Sequence, residues 1–595
     1  MEESIPITDF KDIRKLRTKR PQNRDPARSN LRMVFGFDTE TYEGNIFLIA
    51  DSEGRFLDKI NPKFVIQFLF SKRYQNSWNF FYNLGYDAEV ILKLLGNELY
   101  NYKRKRKLEF CFEDYTLTYI PNKCLRIAKG HHTVSFYDIM QYYHIRGLIN
   151  AYQKNIGKLD ENYLKIKTQR DQFSLRFYNR NKNLIRNYCI KDCTLTKELA
   201  EHWIKLFHDA FGFYPVKWFS SGYLAEKVLI NNGIEFPKFN FIPFEIQELA
   251  YRSYFGGRFE LVKRGFIGEA YLYDINSAYP FAISQIPDLT KGKWIKRKSI
   301  HPDARVGFFK ILADIPDDKY ITPFPFRANN EILFPSGKFI TYCTLAELQA
   351  CESPKWYKIL DSYQFVSSSD IYPYARFIED LYQKRLKLKQ NGSPMQQPIK
   401  IILNSIYGKT GQKVELIIGN LFNPVIFSFI TGFTRAQLYR FITQKNIERK
   451  VVAFATDSIC VTEKLNIDSD KLGEFHFDKS ANDVFMLQNG FYRFNGTWKQ
   501  RGLGKLQGKE IEHLETFEKN RKLCYKFVVN RNTRLRTSII QNKLSEIGKI
   551  KPITREFNIN ADRKRFWINT LQSISDDQYN NSTSLSLNHF LKKEI

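Results

Sequence analysis

Two groups of carboxylates carry the chemistry that this sequence can do, provided the fold gathers each of them. Asp274 closes the strand-like run Glu269-Ala270-Tyr271-Leu272-Tyr273, and Asp457 follows Val451-Val452-Ala453-Phe454. Between them lies Lys400-Ile401-Ile402-Leu403-Asn404-Ser405-Ile406-Tyr407-Gly408. On a helix Lys400, Asn404 and Tyr407 fall at i, i+4 and i+7, so a cation, an amide and a ring share one face along which a triphosphate and a sugar could lie. Two acids brought beside that face suit a pair of divalent cations, one activating an attacking hydroxyl and one holding a triphosphate and its leaving pyrophosphate. The order reads as nucleotidyl transfer.

The second group precedes the first. Asp38 and Glu40 sit at i and i+2 at the end of the apolar run Leu31 to Phe37, so a strand turns both to one face, and Asp87 and Asp192 add two acids from separate elements. Four acids aimed at one point repel unless metal neutralises them, and hard oxygens suit Mg²⁺ or Mn²⁺. Tyr188, one helical turn before Asp192, could hold an attacking water. Thr41 and Asn83 are placed to contact a strand being cut.

Both constellations, in this order on one chain, resemble family B DNA polymerases, from about residue 33 to 510. The first group resembles the three motifs of their 3′–5′ exonucleases, which implies metal ligation by Asp38, Glu40, Asp87 and Asp192. Tyr254-Phe255-Gly256-Gly257 and Asp274-Ile275-Asn276-Ser277-Ala278-Tyr279-Pro280 are similar to the viral and organellar branch, which includes protein-primed replicases of phages and linear plasmids. The resemblance implies two divalent cations per site, Mg²⁺ or Mn²⁺, with the Ile275 carbonyl as an extra ligand beside Asp274 and Asp457. It also implies a steric gate at Tyr279 near Ser277, Tyr407 beneath the sugar and base, and Lys400, Arg385 and Lys389 on the phosphates. Tyr254, Gly256, Gly257, Tyr492, Lys499, Arg501 and Lys505 would meet DNA. Lys384 to Lys389 reads equally well as a solvated helix face.

The sequence departs from that pattern in four places. Ala455 stands where the first acid of an Asp-Thr-Asp segment is usual, leaving Asp457. Only 42 residues separate Gly411 from Phe454, too few for a second long insertion of the kind that encircles DNA. Gly490-Phe491-Tyr492 lacks the lysine of a Lys-x-Tyr segment, and Ile139-Met140 replaces a Ser/Thr-Leu pair.

These motifs need elements to position them. The expected fold class is α/β and α+β multidomain, a ribonuclease-H-like exonuclease domain followed by a right-hand polymerase. The divisions are a basic extension (1–30), the exonuclease domain (31–205), a junction (206–258), palm (259–285 and 412–505), an insertion resembling a terminal-protein-binding subdomain (286–370), fingers (371–411) and thumb (506–595). Residues 371 to 411 read as two helices joined by Asn391-Gly392-Ser393-Pro394. Gly408-Lys409-Thr410 is no P-loop, because Leu403 stands where that motif needs its first glycine.

Composition agrees with such a partner. The formal charge is +29, from 92 Lys and Arg against 63 Asp and Glu, which makes nucleic acid the leading partner. With 43% hydrophobic residues, 51 Phe and 34 Tyr, a disordered basic tail is excluded. The eight cysteines form no CxxC pair and no zinc spacing. No apolar run of membrane-spanning length and no signal segment is visible, so a soluble intracellular protein is expected, in host cytoplasm or an organelle. Primer-template DNA, dNTPs and a terminal protein primer are the expected partners of a monomer. Extension of ordinary nucleic-acid primers, a repair role, and a nuclease or DNA-binding protein with an impaired polymerase half remain as rival readings.

Overall fold

The computed structural model describes residues 3–4, 13–18, 28–101, 108–169, 173–328, 331–501, 516–519, 522–558, 560–571 and 578–590. An apolar run such as Val34-Phe35-Gly36-Phe37 is satisfied only where both faces of a strand are covered. It lies accordingly in strand Val34–Tyr42, inside an eight-stranded sheet. Trp78–Phe81 and His132–Asp138 run parallel beside it, while Asn45–Asp51 and the strands from Leu108 to Lys129 extend the two edges antiparallel. The 30-residue helix Lys182–Phe211 crosses this sheet. Gly36 allows that crossing, since a Cβ there would meet the Cys193 carbonyl oxygen at 2.0 Å.

A second sheet, of nine strands, follows. Its centre orders Arg258–Leu261, Val451–Thr456, Ser458–Val461, Lys263–Ile275 and Phe475–Gln488, so strands nearly 200 positions apart in sequence become neighbours. The long helix Pro424–Gln444 packs near it, with Leu438, Tyr439 and Ile442 joining Tyr273, Phe454 and Ile459 in one core. Helices Ala375–Gln390 and Gln396–Thr410 pack on each other.

In the chain between Asp274 and these helices comes a four-stranded antiparallel sheet of Gly292–Lys296, Tyr357–Ser367, Ala304–Ile315 and Gly337–Thr344. Between Gly411 and the long helix Pro424–Gln444 lies the small hairpin Lys413–Val414 and Ile417–Ile418, which strand Arg17–Thr18 completes. At the C-terminal end, strands Lys522–Asn532 and Ile550–Asn558 form a long ribbon. Helix Leu535–Ile540, between them, leaves the ribbon and packs into the first domain. Among the described residues no helix is long and apolar enough to cross a membrane.

Candidate active sites

Asp274 lies one residue before the end of strand Lys263–Ile275, facing Ser458 on one neighbour and His476 on the other. Asp457 fills the turn between Val451–Thr456 and Ser458–Val461, and its carbonyl accepts from Ile275 N–H at 3.0 Å. The turn is very tight. Asp457 N–H donates to the Ala455 carbonyl at 2.9 Å, which forces Thr456 to φ 72. A β-branched residue there stores on the order of 1–3 kcal/mol of strain. Burial, followed by the nearby Asp274 charge, pushes the Asp457 carboxyl up to about 6. Asp274 is raised by burial and by Asp478, against the opposing effect of His476.

The helix face beside these acids is built from the residues whose spacing singled it out. Lys400 and Asn404 are exposed, and the Tyr407 ring rests on Tyr279 with centroids 4.4 Å apart. The Tyr254 and Tyr407 hydroxyls share a hydrogen bond of 2.9 Å. Partial desolvation lowers the Lys400 ammonium, and repulsion from Arg385 and Lys389 lowers it further, so three cations converge where a polyanion would relieve them. Arg385 also donates to Ser277 Oγ at 3.3 Å, and Ser277 itself is left-handed at φ 49.

Gly256 sits at φ 78 with its carbonyl accepting from Arg435, and Gly257 presses against Thr456. Tyr492 pairs with Lys499 across two short strands. Both line a cleft of about 410 Å³ with Ala455, Ser458, Cys460 and Arg501. Lys505 lies outside the described residues.

In the first domain, Asp38 and Glu40 share one face of their strand, and their carboxylate oxygens lie within 4.8 Å of each other and of Cys189 Sγ. Asp87, on helix Leu84–Lys93, accepts from the Thr39 hydroxyl at 2.6 Å. Asp192 accepts from Tyr188 at 3.1 Å, from Lys167 at 3.1 Å and from Tyr163. Tyr163 is raised by burial and then by Asp192, with Asp38 and Glu40 adding to it, so these acids surround one phenol. Lys167 also donates to Tyr188, which leaves that hydroxyl committed to protein partners. Asn83 is left-handed at φ 65 and its N–H donates to Asp138 at 3.0 Å, while the Thr41 and Tyr86 hydroxyls meet at 2.6 Å.

Tyr163 and Lys167 escaped the sequence reading, since nothing marks them on helix Glu161–Thr168 except their distance of four. His476 and Asp478 escaped it too. Their i and i+2 spacing on a strand is the same signal that singled out Asp38 and Glu40.

Among the described residues, Asp38, Glu40 and Cys189, and separately Asp274, His476 and Asp478, each bring a donor atom within 4.8 Å of the other two, and these mostly hard-oxygen sets fit a divalent cation.

Three comparisons bear on these geometries. A family model described as DNA polymerase type B, organellar and viral, matches residues 80–419, more than half of the chain. The DNA polymerase of Acidianus bottle-shaped virus (isolate Italy/Pozzuoli) is 28% identical over 288 residues, 45% of this chain and 42% of that relative's length. Phi29 DNA polymerase in an orthorhombic crystal form superposes with a TM-score of 0.61 at 14% identity, over 89% of this chain and 100% of that one. Its complex with primer-template DNA and incoming nucleotide superposes at 0.60 with 15% identity and the same coverage. The chain thus shares the multidomain α/β fold of phi29 DNA polymerase, a right hand of palm, fingers and thumb preceded by a further α/β domain.

Proposed function

Because the chain belongs to the organellar and viral type B DNA polymerases, we propose that it extends DNA from dNTPs on a template and edits with a 3′–5′ exonuclease. The observation that carries this is the meeting of Asp274 and Asp457 beside Tyr279, Tyr407 and the Lys400 cation cluster. A primer 3′-hydroxyl attacks the α-phosphorus, a P–O bond forms, and pyrophosphate leaves with the bonding electrons. Mg²⁺ or Mn²⁺, when bound, lowers the cost of deprotonating that hydroxyl and of charge on the leaving group. Lys400, Arg385 and Lys389 pair with the triphosphate, Tyr407 supports the sugar and base, and Tyr279 excludes a 2′-hydroxyl. Asn404 orients the nucleotide from the same face.

In the first domain, Asp38, Glu40, Asp87 and Asp192 hold the cleavage site, and Tyr188 with Lys167 fixes the Asp192 carboxylate. Thr41 and Asn83 meet the frayed strand. Tyr254, Gly256 and Gly257 line the passage between the two sites, while Tyr492, Lys499, Arg501 and Lys505 grip the primer through its phosphates. The described division into exonuclease (31–205), junction (206–258), palm (259–285 and 412–505), fingers (371–411) and thumb (506–595) is part of the same reading.

The task is copying a viral or linear-element genome inside the host cell, as a monomer, and priming from a protein hydroxyl is supported by the separate sheet within 286–370. Extension of ordinary primers is a second reading, favoured by the hairpin Lys413–Ile418 standing where a second long insertion would be. Primer extension with Asp457→Asn tests the core of the proposal. Incorporation should fall by at least about a thousandfold while single-strand degradation persists; equal incorporation by both proteins would refute it. Initiation on a protein hydroxyl without any oligonucleotide separates the two priming routes.

A further inference from the structure

Resting on the polymerase reading, we propose that His476 and Asp478 join Asp274 in a mixed nitrogen–oxygen site that takes a divalent transition cation, Mn²⁺ in preference to Mg²⁺. Asp274 stands directly across the antiparallel pair from His476, and Asp478 follows two residues along the same strand. One donor atom from each lies within 4.8 Å of the other two. That spacing is close to the roughly 4 Å between opposite donors on one ion with bonds near 2.1 Å, so small side-chain rotations complete it.

A separate observation concerns the imidazole. His476 Nδ1 is buried and has no hydrogen-bond partner among the described residues, an arrangement that is rare in native proteins. Asp478 is exposed and forms a loose ion pair with Lys479 at 3.7 Å, a long side chain that can swing away. Tyr492 lies close enough to feel both Asp478 and Asp274, which puts the cluster at the rim of the cleft that holds Ala455.

The chemistry follows from the donors. Position 455 offers no carboxylate on the Asp457 flank of Asp274, whereas the opposite flank offers one carboxylate and one imidazole. Mg²⁺ demands oxygen ligands in near-ideal octahedral geometry and sheds water reluctantly; Mn²⁺ accepts an imidazole nitrogen and a distorted shell. The charge missing at Ala455 is thereby restored by a different strand, with a change in metal preference as the consequence.

Pulsed electron paramagnetic resonance of the full chain, loaded with one equivalent of Mn²⁺ alone, reads this directly. The parent for the experiment carries Asp38→Ala with Glu40→Ala, which removes the other carboxylate site. A ¹⁴N coupling from a ligating imidazole should be present in that parent and absent from His476→Gln. Asp478→Asn, an exposed change that the fold tolerates, should keep the coupling and weaken Mn²⁺ binding by at least about tenfold, the loss that even an outer-shell partner produces. Mg²⁺ binding should change less in His476→Gln than Mn²⁺ binding does. No nitrogen coupling in the parent, coupling that survives in His476→Gln, or equal Mn²⁺ affinity in all three proteins would overturn the site. A parent that extends primers without nitrogen coupling defeats this inference alone, whereas full extension by Asp457→Asn defeats the polymerase reading beneath it.

Discussion

Asp138 is a carboxylate that neither proposed reaction uses, yet it sets the geometry of one. It is 1% exposed and accepts the N–H groups of Asn83 and Met140, both at 3.0 Å, which fixes the left-handed residue opening the helix of Asp87. Burial pushes its carboxyl up to about 7, against the lowering effect of those two donors. Folding therefore adds a proton between about pH 4 and 7, and the associated stability is present in full at low pH and lost as pH rises through about 7. Asp138→Asn keeps an acceptor and cannot ionise. Its stability relative to the parent should rise with pH across that window, by about 4 kcal/mol at most, as read from melting temperatures at pH 5 and 8. A parallel pH profile for the two proteins would count against this account.

At the scale of elements, a contact between two turns ties Gly257 to the strand end that leads into Asp457. A Cβ placed on Gly257 would stand 2.7 Å from Thr456 Cγ2 and 3.1 Å from its Cα. The latter is backbone of the strained turn that carries Asp457, so the clash cannot be relieved by a side-chain rotation. Gly257→Ala should cost about 1–3 kcal/mol through overpacking and slow incorporation by up to about a hundredfold, the loss that a displacement of about 1 Å would bring. Single-turnover extension, with degradation as the control, measures it; undiminished incorporation would mean that the turn has slack. The two-glycine segment was visible in the sequence through its resemblance to the viral and organellar branch. What it approaches was not, because Thr456 is 199 positions away and reaches it through the pairing of Arg258–Leu261 with Val451–Thr456.

The whole molecule is closed by its C-terminal region. Leu535 is fully buried among Leu84, Ala88 and Val90 of the first domain's core, and Leu535 N–H donates to the buried Glu89 carboxylate at 3.1 Å. Lys93 adds a bond to the Ile547 carbonyl at 3.3 Å. Helix Leu535–Ile540 thus packs on the very helix that carries Asp87. Leu535→Ala should cost about 2–5 kcal/mol and lower the hydrogen-exchange protection of both regions together; loss confined to residues near 535 would show that they unfold independently. A net charge of +29 acts at the same scale. With about 6–10 phosphates contacted, affinity for primed DNA should fall roughly 10³- to 10⁵-fold between 50 and 200 mM salt, measured by fluorescence anisotropy on duplexes of unrelated sequence.

Local periodicity is what the sequence determined by itself. A period of two puts Asp38 and Glu40 on one face, a period near 3.6 aligns Lys400, Asn404 and Tyr407, and the basic excess names a polyanionic partner. The order of the motifs carried the family. Strand register and the neighbours it creates were decided only by the tertiary structure: Asp274 beside His476 and Asp478, Asp192 beside Tyr163 and Lys167, Leu535 in a distant core. Those pairings rest on hydrogen bonds and buried surface between segments remote in sequence, and an interaction of that kind leaves no period for a one-dimensional reading to detect.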